Sequence, residues 1–245
     1  MTRKLFALTA ALLFGLAAQA QTNPRIMSYN VRNGYGIDKV HSYDRPARVI
    51  NKVLPDVVAV QELDSITRRY PDYVLGELAM RTGMYAYYGP SIKFGGGKYG
   101  VGILSRKPAL SVQQHKLPCR SEPRTMLIIE LEDFYFGCTH LSLHAEDRMT
   151  SMDIIRDIAS KLDKPLILAG DFNAEPGDPE IQKLAEFTTI HSRTDRKTWN
   201  ATNPTICIDY IVSCGCKAKT VKARVLREKK ASDHRPIFAD IILKK

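Results

Sequence analysis

The stretch Ile167-Leu-Ala-Gly-Asp-Phe-Asn-Ala-Glu-Pro176 sets a carboxylate, Asp171, and a carboxamide, Asn173, just beyond an apolar run that closes on glycine. Apolar runs bounded by Gly and Pro suit core strands, and residues past a strand end are where a rigid scaffold offers polar groups to a ligand. Two positions apart on an extended chain, both side chains project to one side. Together they can hold a hydrated cation and a phosphoryl oxygen. Gly-Asp-x-Asn alone is equally a turn whose Asp and Asn bond their own backbone. Five other segments repeat the placement: Asn30, Gln61-Glu62, His140, Asp209 and Asp233-His234 all sit where an apolar run starts or stops. Each has a plain structural alternative as a turn cap, a surface carboxylate or a core histidine. The repetition over six segments gives the set its weight.

One chemistry uses all of them. Hydrolysis of a phosphate ester needs a cation to neutralise charge on the phosphoryl oxygens. Mg2+ takes hard oxygen ligands and keeps several waters, so one or two carboxylates suffice. A group must also take a proton from the attacking water, and donors such as His or Asn must steady the charged oxygens. Glu62, three Asp, two Asn and two His cover those needs. The dense His/Cys ligation of a zinc hydrolase is missing. There is no Gly-x-Ser-x-Gly, and Ser232 beside Asp233-His234 makes no triad by adjacency.

The elements that must carry these residues follow from periodicity. Strands are predicted at 25–32, 56–62, 84–89, 99–104, 110–116, 124–131, 134–141, 165–169, 207–213, 220–226 and 236–243. Val57-Val-Ala-Val60 is apolar throughout, as for a strand covered on both faces. Helices are predicted at 44–54, with Asp44 as cap and Pro46 in the first turn, and at 72–82, 145–162 and 179–186. The stretch 193–205 is a polar loop. No linker divides the chain and no repeat of obvious period appears, so a single domain of two packed sheets with outer helices is expected.

Residues 1–20 stand apart. Arg3 and Lys4, the apolar run 5–18 and Ala18-Gln-Ala20 make a secretory signal peptide, leaving 21–245 as the catalytic domain, exported to the periplasm or cell exterior. Losing Arg3 and Lys4 lowers the net charge from +10 to +8, a surplus that favours anionic partners. All five Cys lie in the mature part. An exported chain could oxidise some of them, and an odd number leaves at least one free or paired between chains. Cys214 and Cys216 read as one face of a strand, and Cys138 as a small core residue.

The segments Tyr-Asn-Val-Arg-Asn-Gly, Val-Gln-Glu, Gly-Ile-Leu-Ser-Arg, Thr-His-Leu, Gly-Asp-Phe-Asn, Ile-Asp-Tyr-Ile and Ser-Asp-His-Arg-Pro occur in an order that resembles the endonuclease/exonuclease/phosphatase family over essentially all of 24–245. That resemblance implies a four-layer α/β/β/α sandwich with the site at one end of two mostly antiparallel sheets. It implies Glu62 as principal Mg2+ ligand, with Mn2+ as the alternative ion, and Asn30 and Asp233 completing or approaching the metal. Asp171 would handle the proton of the water or leaving group, and Asn173 would bind a phosphoryl oxygen. His234, held by Asp209, would contact the phosphoryl group, with His140 as the second histidine. Arg124, Tyr99 and Arg32 are phosphate-facing candidates. Arg32 stands where some nuclease relatives carry an acidic residue.

Three substrate classes fit an exported member of that family: extracellular nucleic acid, phospholipid head groups, and small esters such as sugar or inositol phosphates. Trp199 and Tyr99 are thin support for a membrane-inserting hairpin, and no stable insertion is expected. Arg227, Lys229 and Lys230 could supply one wall of a nucleic-acid groove or form a solvated loop. A monomer is expected.

Overall fold

A computed structural model describes residues 23–244. The proposed leader, 1–20, lies outside them. Among the described residues, twelve strands build two six-stranded sheets. The first contains β1 (Arg25–Asn30), β2 (Val57–Ser65), β3 (Tyr85–Phe94), β4 (Gly97–Ser105), β11 (Lys217–Val225) and β12 (Ile237–Lys244), in the order β11-β12-β1-β2-β4-β3. The second contains β5 (Ser111–Leu117), β6 (Arg124–Glu130), β7 (Tyr135–His140), β8 (Leu166–Asp171), β9 (Thr189–Ile190) and β10 (Asp209–Cys214), in the order β5-β6-β7-β8-β10-β9. Each sheet has one parallel pair at its centre, β1 with β2 and β7 with β8, and the other pairings are antiparallel.

The layers follow from which faces are apolar. Ile26, Val57, Ile103, Leu127, Phe136, Ile167 and Ile211 meet between the sheets. On the outer face of the first sheet, α1 (Asp44–Val53) and α2 (Val74–Thr82) bury Ile50, Val53, Leu75 and Leu78 against Met27, Tyr29, Val58 and Val60. On the outer face of the second, α3 (Ala145–Ser160) and α4 (Pro179–Ala185) bury Met152, Ile155, Ile181 and Leu184 against Met126, Leu168, Tyr210 and Val212. This is the four-layer α/β/β/α sandwich. Strands covered on both faces carry apolar side chains at every position, which is why Val57–Val60 and Leu166–Ala169 show no alternation.

The two sheets are built alike. In each, a central parallel pair is spanned by a helix, a second helix leads to two antiparallel strands on one side, and two antiparallel strands flank the other side; these come before the pair in the second sheet and at the end of the chain in the first. Strand for strand, β1 corresponds to β7, β2 to β8, and β4 to β10; α1 and α2 correspond to α3 and α4. No periodicity of the sequence announces this.

Some local expectations change. Tyr43, not Asp44, is the N-cap of α1 and makes no side-chain cap bond; Asp44 sits in the first turn, where a carboxylate favours the helix dipole, and accepts from Arg81. α2 begins at Val74, two residues later than predicted, and is capped after Thr82 by Gly83, whose φ of +66° suits a residue without Cβ. Cys214 and Cys216 do not share a strand: Cys214 ends β10, Gly215 turns with φ +76°, and β11 starts at Lys217. All five thiols are free, and Cys138 is fully buried in the core as expected.

Candidate active site

The polar strand ends meet at one end of the sandwich. Asn30 closes β1, His140 closes β7 and Asp171 closes β8. Pairing aligns His140 with Asp171, and Asp171 with Asp209 at the start of β10, so three polar residues lie level across neighbouring strands. Opposite them, in the first sheet, Asn30 is level with Gln61.

Glu62 reaches the site through a bulge. The β2–β4 register slips between Val60 and Leu63, setting Gln61 and Glu62 against the single residue Val101. Glu62 takes φ +58° there, a left-handed conformation that costs a residue with a Cβ roughly 1–3 kcal/mol. The strand predicted to end at Glu62 therefore continues to Ser65, and the irregularity inside it aims the carboxylate. Asn173 also has positive φ, +50°, which Asn tolerates better than most residues. Its backbone N–H donates to Asp171 Oδ1 at 3.0 Å and its Nδ2 to the Leu141 carbonyl at 3.0 Å, so its carboxamide oxygen stays uncommitted.

Asp171 Oδ2 is the hub. Asn30 Nδ2 donates to it at 3.2 Å, and the Nε2 atoms of His140 and His234 each stand 3.5 Å away. Asn30 Nδ2 also donates to Glu62 Oε1 at 2.9 Å, so one amide spans the two sheets. His234 Nδ1 lies 3.0 Å from Asp209 Oδ2. Burial pushes Asp171 up to about 7, with Asp209 reinforcing and His234 opposing. Burial disfavours the His234 imidazolium, but the charges of Asp209 and Asp171 outweigh it and raise His234 to about 10. His140 is held neutral, its pKa driven well below the usual histidine range by burial and by the positive neighbours Arg124 and His234. Burial also raises Glu62, against the hydrogen bond from Asn30.

A cleft of about 410 Å³ opens onto this cluster. Glu62, Tyr99, Arg124, His140, Asp171, Asn173, Asp233 and His234 line it, with Trp199 on the rim. Asp209 stands behind His234. Arg124 is buried, pairs with Glu122, and leaves its Nε without a protein partner. A buried guanidinium N–H lacking an acceptor beside a cleft is suited to a phosphoryl oxygen. Arg32 does not line this cleft. It sits in a turn with φ +47°, its guanidinium over the Tyr35 ring at 5.4 Å and 3.7 Å from Asp233, and faces an adjoining pocket. Arg227, Lys229 and Lys230, weighed as a groove wall or a solvated loop, separate. Arg227 joins Arg193, Arg196, Lys197, Arg224 and Arg235 around a groove, which Lys229 and Lys230 do not line.

The donor set fits a hard divalent cation at Glu62. Its Oε1 holds one amide hydrogen bond, its Oε2 takes none among the described residues, and the Asp233 carboxylate is close enough to act on its charge; Asn30 presents its Nδ2 to Glu62 while its Oδ1 accepts from the Arg32 N–H at 3.1 Å, so it approaches the metal site through its amide nitrogen. The atoms of Asp171, Asp209 and His234 also lie within 4.8 Å of one another. A histidine charged at neutral pH donates rather than ligates, so that cluster reads as a proton network.

Sequence reasoning overlooked Glu122, two residues before Arg124 in Ser-Glu-Pro-Arg, and the aromatic and cationic neighbours of Arg32: Tyr35, Arg69, Tyr70 and Phe94. The signal for Arg69 was the acidic Asp64 five residues earlier, which it grips at 2.7 and 2.9 Å.

The profile of the endonuclease/exonuclease/phosphatase family matches residues 27–234, and the chain belongs to that family. Among solved structures, it is similar to a family member from Beutenbergia cavernae, with 21% identity over 90% of this chain and 72% of that one and a TM-score of 0.75. It is similar to a mannosyl-6-phosphatase from Bacteroides thetaiotaomicron, with 16% identity over 89% of this chain and 99% of that one and a TM-score of 0.73. It is also similar to the human Nocturnin catalytic domain, solved with bound sulfate, with 17% identity over 91% and 94% of the two chains and a TM-score of 0.68. No curated protein sequence matches it significantly. Members of the family are hydrolases acting on phosphoesters.

Proposed function

We propose that the mature chain is an exported Mg2+-dependent phosphoester hydrolase in which water attacks phosphorus directly, with Mn2+ as an alternative ion. The observation that carries this reading is the hub at Asp171: a buried carboxylate with a pKa near 7, touched by one amide and two imidazoles, and joined through Asn30 to the carboxylate at Glu62. A general base works best when its pKa is near the operating pH. Asp171 takes the proton of the attacking water as its oxygen bonds to phosphorus; the leaving oxygen departs with the pair of the broken P–O bond and is protonated from solvent. Charged His234, neutral His140, Asn173 and Arg124 donate to the phosphoryl oxygens, and Tyr99 closes the wall beside them. Asp209 keeps His234 protonated and oriented. Glu62, with Asn30 and Asp233 beside it, would hold the cation, which when bound would offset the charge on the phosphoryl oxygens.

The leader at 1–20 and the basic mature chain support export and an anionic substrate. A second reading, an extracellular nuclease, is favoured by the groove of six basic side chains that includes Arg235, next to His234 in sequence. The test is a screen of the purified mature protein with and without Mg2+ on sugar phosphates, inositol phosphates, plasmid DNA, RNA and sphingomyelin. Mg2+-dependent release of phosphate or of a phosphoryl head group is expected; no turnover of any phosphoester would overturn the proposal.

A further inference from the structure

Beside the cleft lies a second pocket of about 260 Å³, sharing Glu62, Tyr99 and Glu122 with it. The remaining lining comes from Arg32, Asn33 and Tyr35 after β1, Arg69 and Tyr70 after β2, and Ile92 and Phe94 on β3. Its size falls just under the range of about 300–1,000 Å³ usual for drug-sized ligands, so it suits a single ring rather than a polymer.

The chemistry of the lining narrows the occupant. Arg69 is locked: both Asp64 oxygens take its Nε and Nη2, and Asp64 is fully buried. That grip uses one edge of the guanidinium, leaving Nη1 for a ligand. The hydroxyls of Tyr35, Tyr70 and Tyr99 make no hydrogen bond to protein among the described residues. Glu62 and Glu122 add acceptors. A pocket offering guanidinium donors, carboxylate acceptors and phenols that do both matches a ring bearing several hydroxyls, each at once donor and acceptor.

The same lining disfavours a nucleobase, which needs an open aromatic face. The Phe94 ring already holds the Arg69 guanidinium at 4.5 Å, and Tyr70 is stacked on His41 at 4.5 Å and 15°. Phe94 and Tyr99 tilt at 56°, with centroids 6.3 Å apart, and form no parallel slot.

We infer that this pocket receives the hydroxylated ring, sugar or cyclitol, of a small phosphate ester whose phosphoryl group lies in the adjoining cleft. The inference rests on the phosphoester reading and specifies its substrate class; Arg69 and Tyr70 become specificity residues.

Two readouts test it: kcat/KM for mannose 6-phosphate and inositol 1-phosphate relative to methyl phosphate, and calorimetric binding of the same two ring phosphates in EDTA. Tyr70→Phe removes one hydroxyl and is expected to lower the ring-to-methyl ratio about fivefold. Arg69→Lys keeps the charge but loses the fork, for about tenfold or more. Whichever ring phosphate shows the larger drop identifies the ring. Because Asp64 is buried, Arg69→Lys is accompanied by a melting curve, and Tyr70→Phe carries the test if that variant unfolds. Ring phosphates that bind and are weakened by Tyr70→Phe, in a protein that cleaves no ester, would overturn the hydrolase reading and leave the pocket assignment standing. Turnover with an unchanged ratio and unchanged binding would overturn the pocket assignment and leave the hydrolase reading standing.

Discussion

His234 faces two carboxylates with two different nitrogens: Nδ1 meets Asp209 Oδ2 at 3.0 Å and Nε2 meets Asp171 Oδ2 at 3.5 Å. Asp209 thus raises the histidine's pKa from behind, while Asp171 shares the reacting side. Turnover needs Asp171 ionised and His234 charged. It should therefore fall as pH drops through about 7 and fall again as pH rises through about 10.

Asp209→Asn keeps the shape and removes the charge, so His234 loses its proton at lower pH. The expected profile has its alkaline limb moved down and a lower maximum. A full pH–rate curve for the variant checks this; an unmoved limb would reduce Asp209 to a loop anchor.

Glu62→Gln should abolish Mg2+-dependent turnover and, in EDTA, make the protein more stable. The carboxylate's charge is disfavoured by burial, a cost that the neutral amide does not carry, whereas the left-handed backbone strain is the same for both side chains. Neutralising it is expected to gain about 1 kcal/mol. An assay with Mg2+ measures the first effect and melting curves in EDTA the second; with Mg2+ added, the parent should be stabilised by the ion and the variant should not.

Asn30→Ala removes the amide that joins Glu62 to Asp171. Supporting contacts of this kind are worth about 10–100-fold in metal affinity, so Mg2+ binding by calorimetry should weaken by that factor while the fold persists. An unchanged affinity would separate Asn30 from the metal.

Glu180→Ala tests the scaffold rather than the chemistry. Arg148 on α3 and Glu180 on α4 form a buried ion pair, and Arg148 Nη1 also donates to the Ser142 carbonyl at 3.1 Å. Removing Glu180 strands a buried charge at a cost of about 3–5 kcal/mol, a melting-temperature drop on the order of 10 °C. Calorimetry should show the drop with kcat retained below the transition.

The site was legible in sequence where strand ends carry polar residues. Asn30, His140, Asp171, Asp209 and His234 each interrupt an apolar run, and burial of such a run leaves its polar terminus conspicuous. The Glu62 bulge was not legible, because Gln61-Glu62-Leu63 has no glycine to mark it and the slip exists only against β4. Arg69, Tyr70 and Phe94 were missed for a related reason: a loop and a strand end become neighbours only through sheet pairing. β9 escaped because two residues give no period to read.

The likeness of the two sheets bears on how the molecule is made. One sheet can be completed from a continuous stretch, β5 to β10. The other cannot: β1 near the start pairs with β12 near the end, and Arg25 is gripped by Asp240 at 2.6 and 3.0 Å. During synthesis, the edge of β1 that β12 will cover waits open for most of the chain's emergence, a hazard for wrong pairing. Asp233 and His234 arrive just ahead of the strand that closes it. A nascent chain therefore gains the last residues of the candidate site and the strand that covers the β1 edge together.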